Sequence, residues 1–592
     1  MFKNFNFQKF SGTIFLLSLS FCYLLIGFYS ISNTGLAGDE TAHLAAAHSY
    51  IYGQGVNVEH PTLLKNLNAG VLAVFFNDYY TENREQWSRG VDYQLKSKYE
   101  SSVILQSSRL VYLLFNLGFI FFLWLFTYKY RILNQNFSFI LGFLYVFSPS
   151  FYSHNFLLTF DVAAGWTAFV VFLATLNLVR DFGQTSNRDF WIKSGWLSLA
   201  LFLALNVKFS NFIWVAILLA VSVLSGVYFI YKQNDKALMR IAKTFGLVSS
   251  SNLVAIWILN LIAFRSEFSW SWRQFWNPFL YPIFAYLRGL VMTLGRSGHQ
   301  QPNFVEDRFV LIKYHQFIGR VFWFKENPVL IILMVSILAF GVFWVFQKLL
   351  TKNRNYSLKN LSEFIKNQPV KISIFVLAAS FPFLYFAVSW NSNLTIGYRH
   401  FYPVLIYIYA FVALIMSLGL KGKITKILVL FALIIYAGFG IAAIPQGISY
   451  TNIFWQKPKW QLITDSTINW DQDQTATFRY LKQKNLFKSS DQNLNPKQSW
   501  NTALAVSGGP NTNIALQELI GKGNRLDDFW SPFVDLRKVK ISDLNKQYLL
   551  VDSNIFQLLS DDSGSIAKQN LDYLQNTKPI FEKNQIIFIF KL

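Results

Sequence analysis

The stretch IFLLSLSFCYLLIGFYSISNTGLAGDETAHLAAAHSY, residues 14–50, decides the reading of this chain. Ile14 to Ser32 carries no charge, and as a helix rising about 1.5 Å per residue it covers the ~30 Å hydrocarbon core of a bilayer. GDETAHLAAAHSY then emerges at the water interface, led by the adjacent carboxylates Asp39 and Glu40, and His60-Pro61 follows about twenty residues later. Charges at a membrane edge are costly unless paired or used, so this pair is the first candidate for chemistry.

The rest of the composition agrees with a polytopic membrane protein. The 592 residues are 53% hydrophobic and 18% aromatic, with a mean hydropathy of +0.30, which excludes an ordinary soluble domain. The net charge of +22 does not point to nucleic acid, because Lys and Arg are scattered in short breaks between apolar runs, as topology signals are. The single cysteine, Cys22, lies in the first apolar run and reads as a lipid-facing residue; it excludes an intrachain disulfide. The first run is expected to stay as a span rather than be cleaved as a signal peptide, since the loop after it is built to sit against it.

Apolar segments near 14–32, 110–127, 137–152, 160–179, 191–206, 209–231, 244–264, 328–349, 371–390, 401–419 and 425–443 predict about eleven helical spans. With a cytoplasmic N-terminus, the loops holding Lys129 and Arg131, Arg180 to Lys193, Lys232 to Lys243, Lys348 to Lys371 and Lys421 to Lys426 all fall inside, as the positive-inside rule requires. Loops 33–109 and 265–327, the NSNLTIGYRH loop and the tail 445–592 then share the outer side of the cytoplasmic membrane. The domain division is thus 1–444, polytopic, and 445–592, extracytoplasmic. In the tail NTALAVSGG, QYLLVDS and QIIFIFKL are too short to span and read as strands of a small α/β domain. ETAHLAAAHSYIYG and PTLLKNLNAGVLAVFF in the first outer loop read as helices lying at the interface.

Asp39, partly desolvated at the mouth of a membrane cavity, suits a general base acting on a hydroxyl; it equally suits a helix N-cap, with Glu40 favouring the helix dipole. Asp161 begins the fourth span from the same side, again as cavity group or cap. Lys208, Arg399 and His400 sit at outer span ends, where each could simply anchor a helix. Taken as a set, outer carboxylates and outer cations can deprotonate an acceptor and stabilise an anionic leaving group. His43, His48 and His60, near Glu40, follow no recognised zinc pattern, so no catalytic metal is expected. Asp471-Gln472-Asp473 is a D-x-D in a polar loop on the side where nucleotide sugars are not expected, and the sequence has no Walker motif.

At this point the chain resembles the GT-C membrane glycosyltransferases, specifically the bacterial relatives of protein O-mannosyltransferases and aminoarabinose transferases (glycosyltransferase family 39-like). GDETAHLAAAHSYIYGQGVNVEHPTLLKNL (38–67) resembles the first-loop pattern of an acidic pair, an alanine-rich helix and Glu-His-Pro. LLTFDVAAGWTAF (157–169), ALNVKFSNF (204–212), FKENPVLIILM (324–334) and IGYRHFYPVLIY (396–407) are similar to later elements in the family's order. TDSTINWDQDQTATFRYLK (464–482) is similar to a signature after the last span, with Asn469 where the family usually has Asp and Asp471 where it has Gly, so no role is carried onto it. The resemblance covers about residues 10–485.

It implies a polytopic GT-C fold and inverting transfer of a sugar from a polyprenyl-phosphate carrier to a hydroxyl of a protein, lipid or polysaccharide, without a required cofactor or metal. The partners implied are the lipid-linked sugar, the acceptor and membrane lipids, and no nucleic acid. Asp39 is implied as base, Glu40 as its orienter or as a second binder of acceptor or sugar hydroxyls, Arg399, His400 and Lys208 as phosphate binders, and His60, Asp161 and His43 as pocket residues. Two readings compete. A transporter or lipid flippase calls for inverted repeats and helices broken near the mid-bilayer, whereas these charged candidates cluster on one side; an outer binding module on a membrane anchor does not need eleven spans.

Overall fold

The computed structural model describes residues 7–180, 182, 186–267, 277–296, 298, 302–305, 308–350, 369–393, 395–420, 422–445, 447–462, 467–486, 504–507 and 534–592. Parts of loop 265–327, the basic loop 351–368 and residues 464–466 of the tail signature lie outside them.

The helices run α1 (Phe7–Asn33), α2 (Glu40–Ile51), α3 (Leu63–Phe75), α4 (Gln86–Lys96), α5 (Ser101–Trp124, continued by a π-turn over Leu125–Lys129), α6 (Gln135–Val146), α7 (Pro149–Asn155), α8 (Asp161–Arg180), α9 (Asn187–Val207), α10 (Ile213–Tyr231), α11 (Asp235–Phe264), α12 (Asn277–Arg296), α13 (Tyr314–Lys325), α14 (Pro328–Leu350), α15 (Pro369–Ser389), α16 (Tyr402–Gly419) and α17 (Lys423–Ala442). Among the described residues, eight helices are long and apolar enough to cross a membrane, or nine if α13 and the start of α14, bent by 116° at their junction, form one span. This differs from the expected eleven, although all eleven apolar segments are helical. Segment 137–152 is divided into α6 and α7 at Phe147-Ser148, where Ser148 caps the new helix and Pro149 occupies its first turn; α15 counts only as a shorter apolar helix over Ser373–Ser389.

Burial orders these helices. The most apolar window of α8 is 89% buried, against 17% for Phe209–Tyr231 and for α17, so α8 is the central post and the other two present leucine, isoleucine and valine outward. The first outer loop differs from expectation in a way that matters. Glu40 through Tyr50 of α2 are all buried, so α2 is an internal helix rather than an interfacial one. Its small side chains make this possible: a Cβ on Gly90 of α4 would collide with the backbone of Thr41, so the two helices touch backbone to backbone. In α3, by contrast, Leu67, Val74 and Phe75 remain exposed, as an interfacial helix requires.

In the tail, β3 (Leu504–Ser507), β4 (Tyr548–Asp552), β5 (Phe581–Lys583) and β6 (Ile587–Lys591) form a sheet in the order β3-β4-β6-β5, with β3 and β4 parallel and the other pairs antiparallel. A hairpin of β1 (Pro302–Val305) and β2 (Arg308–Leu311) joins the same core, Phe304 meeting Trp460, which stacks on Phe556. The tail helices are α18 (Gln474–Gln483), α19 (Ser553–Asp561) and α20 (Ser565–Asn576).

Candidate functional site

The site is built on residues 34–40, which turn from α1 into α2. Two backbone bonds clamp this turn to the tail: Gly35 N–H donates to the Gln472 carbonyl (2.7 Å) and Gly38 N–H to the Trp470 carbonyl (2.9 Å). Glu40 fixes it from the other side. Its carboxylate accepts from Arg109 Nε (2.9 Å) and Nη2 (2.5 Å), from Ala37 N–H (2.8 Å) and from Leu158 N–H (3.1 Å), and it has no exposed surface. Arg109 spends its remaining donors on the carbonyls of Thr34 and Gly35. These bonds hold the Asp39 turn in place and leave Glu40 no exposed surface.

Asp39 points the opposite way. It stands at the N-cap of α2, yet its carboxylate makes no capping bond, so the simple capping alternative does not describe it. Instead Oδ2 accepts from Arg399 Nη2 at 3.0 Å. Asp39 keeps 37% of its side-chain surface open, against 6% for Asp161 and none for Glu40, and is the accessible carboxylate of the cluster. Burial against protein raises its pKa from the ordinary aspartate value; Arg399 and Arg296 oppose the shift, while Asp161 and Glu40 add to it.

Arg399 and His400 lie in the single turn Tyr398–Phe401 that opens into α16. Arg399 Nε is 3.4 Å from Asp161 Oδ2, at the first residue of α8, and Lys208 Nζ, between α9 and α10, is bonded to Asp161 Oδ1. His400 Nδ1 is 3.4 Å from Lys208 Nζ and 3.9 Å from Asp161 Oδ1. Asp39, Asp161, Lys208, Arg399 and His400, scattered between positions 39 and 400, therefore form one chain of contacts. The turn itself is held by hydroxyls: Tyr385 and Tyr314 both donate to the His400 carbonyl, at 2.6 and 3.2 Å. Tyr398 donates to Glu326 at 2.8 Å. Lys325 and Glu326 of the FKENPVLIILM stretch brace this region, for Glu326 also accepts from Ser150 and Tyr409, and Lys325 donates to the carbonyls of Ile448 and Tyr450.

His43 and His60 lie beside this cluster, their rings 5.4 Å apart and each packed on Phe160, next to Asp161. Burial pushes the His43 imidazole down to about 3 and His60 well below its usual value, and the Lys65 charge adds to both, so both are neutral at physiological pH. Lys65 donates to the carbonyls of Asn57 and His60 and fixes the loop before Pro61. Asp471 and Asp473 of the D-x-D accept from Gln474 and Asn584 around the start of α18. Among the described residues no group of three or more His, Cys, Asp or Glu has the arrangement of a metal site.

Residues not singled out from sequence complete the site. Arg109, the partner of Glu40, had one visible signal, a cation beside an apolar run. Trp470 carries the Arg399 guanidinium over its ring at 4.0 Å. His154 packs edge-on to Tyr402 and 6.0 Å from Trp470, with Nδ1 bonded to the hydroxyls of Tyr402 and Ser153. Three buried nitrogens here, Arg399 Nη1, His400 Nε2 and His154 Nε2, have no hydrogen-bond partner among the described residues.

No family model matches this chain, and no curated protein matches it. Among solved structures it is similar to the S. cerevisiae protein O-mannosyltransferase Pmt1-Pmt2 complex bound to the sugar donor, at 14% identity and a TM-score of 0.32. The match covers 43% of this chain and 34% of that one.

Proposed function

We propose that the protein is an inverting glycosyltransferase of GT-C type that moves a sugar from a polyprenyl-phosphate carrier to a hydroxyl at the outer face of the cytoplasmic membrane. The observation that carries this reading is the pairing of one accessible carboxylate, Asp39, with a buried cationic cluster whose Arg399 Nη1 and His400 Nε2 lack partners among the described residues. Unpaired buried donors are costly and are satisfied when an anionic oxygen arrives. Asp39 takes the proton of the acceptor hydroxyl as its oxygen attacks the anomeric carbon, the bond from that carbon to the phosphate oxygen breaks with inversion, and the electron pair leaves on the polyprenyl phosphate. Arg399 and His400 hold the departing phosphate, with Lys208 and Asp161 fixing their orientation. The motif resemblance in residues 10–485 supports the same assignment.

The contacts also support eleven crossings. The chain is at the site at Asp39 and again at Asp161, after α5 has carried it to the basic end at Lys129, which supports a return crossing by α6 with α7. The bond from Tyr385 to the His400 carbonyl likewise supports a return crossing by α15 from the basic loop.

The test is binding of a polyprenyl monophosphate in detergent, compared with the matching polyprenyl alcohol. The wild-type protein is expected to bind the phosphate and not the alcohol, and Arg399→Ala to lose tenfold or more, with Arg399→Lys between them because it keeps charge without the planar fork. Equal binding of phosphate and alcohol overturns the reading.

A further inference from the structure

Trp470 comes from the tail, beyond the last membrane helix, in a segment that the motif reading left without a role. It is buried, and its position is fixed from three directions: its carbonyl accepts Gly38 N–H, its own N–H donates to Gln472 Oε1 (2.6 Å), and its indole lies where a Cβ on Gly38 would be. The Arg399 guanidinium lies over its ring at 4.0 Å. A guanidinium with one buried carboxylate at Nε and a half-open one at Nη2 has two orientations that satisfy it about equally; a fixed aromatic face selects between them, because the flat cation gains by lying parallel to the ring.

We propose that Trp470 is a positioning residue, which holds Arg399 so that one nitrogen engages Asp39 and another stays free for an anionic oxygen. The tail therefore completes the site, and its first segment is part of the catalytic unit. The catalytic meaning rests on the transferase reading; the positioning itself does not.

The experiment reads Asp39 directly. A water-soluble carbodiimide modifies protonated carboxyls, and mass spectrometry of the peptide containing Asp39, followed over pH in the full-length detergent-solubilised protein, gives the midpoint at which that carboxyl loses its proton. Asp39 is faced by Arg399 from the start of α16, Asp161 from α8, Arg296 from α12 and Glu40 from α2. Releasing Arg399 removes the nearest positive charge, so in Trp470→Leu the midpoint is expected to rise by about one pH unit, while Trp470→Phe, which keeps a ring face, stays near wild type. Where the Leu variant fails to fold, Trp470→Met repeats the comparison with a longer, more adaptable side chain. An unchanged midpoint without the ring, or equal shifts for Leu and Phe, overturns the proposal. Because labelling needs no donor lipid, failure of the wild type to bind polyprenyl monophosphate would strike the transferase reading and leave this result standing.

Discussion

Asp39 and Glu40 are neighbours with opposite fates, and the difference follows from what each carboxylate meets. Glu40 is saturated by a guanidinium and two backbone amides, whereas Asp39 meets one shared guanidinium and open space. The raised pKa of Asp39 means that the folded protein prefers its protonated form, so stability it contributes is present at low pH and is lost as pH rises through the folded value. At neutral pH the ionised group is a cost. Asp39→Asn is accordingly expected to leave thermal stability unchanged or slightly higher, while turnover of a polyprenyl-phosphate sugar falls about 10²–10⁴-fold with donor binding retained. In the wild type the acid limb of turnover lies above the ordinary aspartate range, near 4. Normal turnover in the Asn variant removes Asp39 from the chemistry. The residue types at the site were legible in sequence because charges are conspicuous in an apolar chain. Trp470 was not, since an aromatic among 18 tryptophans and 61 phenylalanines gives no contrast. Asp471 adds a physical detail: its φ of +65° lies in the left-handed region that favours glycine, and aspartate is among the few side chains that tolerate it.

The element that sets the geometry is the turn 34–40, held between α5 and the tail. Its brace is a fully buried ion pair, with Arg109 1% exposed and Glu40 0%. Such a pair adds little over a well-packed apolar replacement, but breaking it strands a charge in a place that cannot solvate it. Arg109→Met is therefore expected to cost about 3–5 kcal/mol, and the double variant Arg109→Met with Glu40→Gln to recover much of that loss. Denaturant unfolding in detergent measures both; a single variant within about 1 kcal/mol of wild type would show that the pair is no brace. Elements were legible to different degrees for physical reasons. Long apolar runs and short β-rich runs such as YLLVD and IFIFK betray themselves by length and composition. The burial of α2 does not, because an alanine-rich helix carries almost no amphipathic signal, and its internal position depends on Gly90 allowing α4 to approach.

At the scale of the whole molecule, the tail and the first loop touch through Gly35–Gln472 and Gly38–Trp470, so they lie on one side of the membrane whichever side that is. The number of crossings between them must be even, and the total, with α1, odd. Eight spans violate this requirement; nine or eleven satisfy it. Nine spans leave α6 with α7 and α15 uncrossed, and then Asp161 and His400 could not both lie beside Asp39's partners while Lys129 and Arg180 share the opposite basic side. The eleven crossings proposed above meet both constraints, and in that proposal the positive loops set the sidedness. Cysteine accessibility tests it in a Cys22→Ser background. Single cysteines at Glu82 in the first loop and Lys568 in the tail, both exposed, are expected to react with an impermeant maleimide in intact cells, and one at the exposed Gln233, between α10 and α11, only after permeabilisation. Positions 82 and 568 are tied by the contacts above, so they must behave alike. A result in which one labels and the other is protected would refute the contact between loop and tail, and with it the site's construction. Reaction of Gln233 alone in intact cells would instead invert the orientation and put the Asp39 site on the cytoplasmic face.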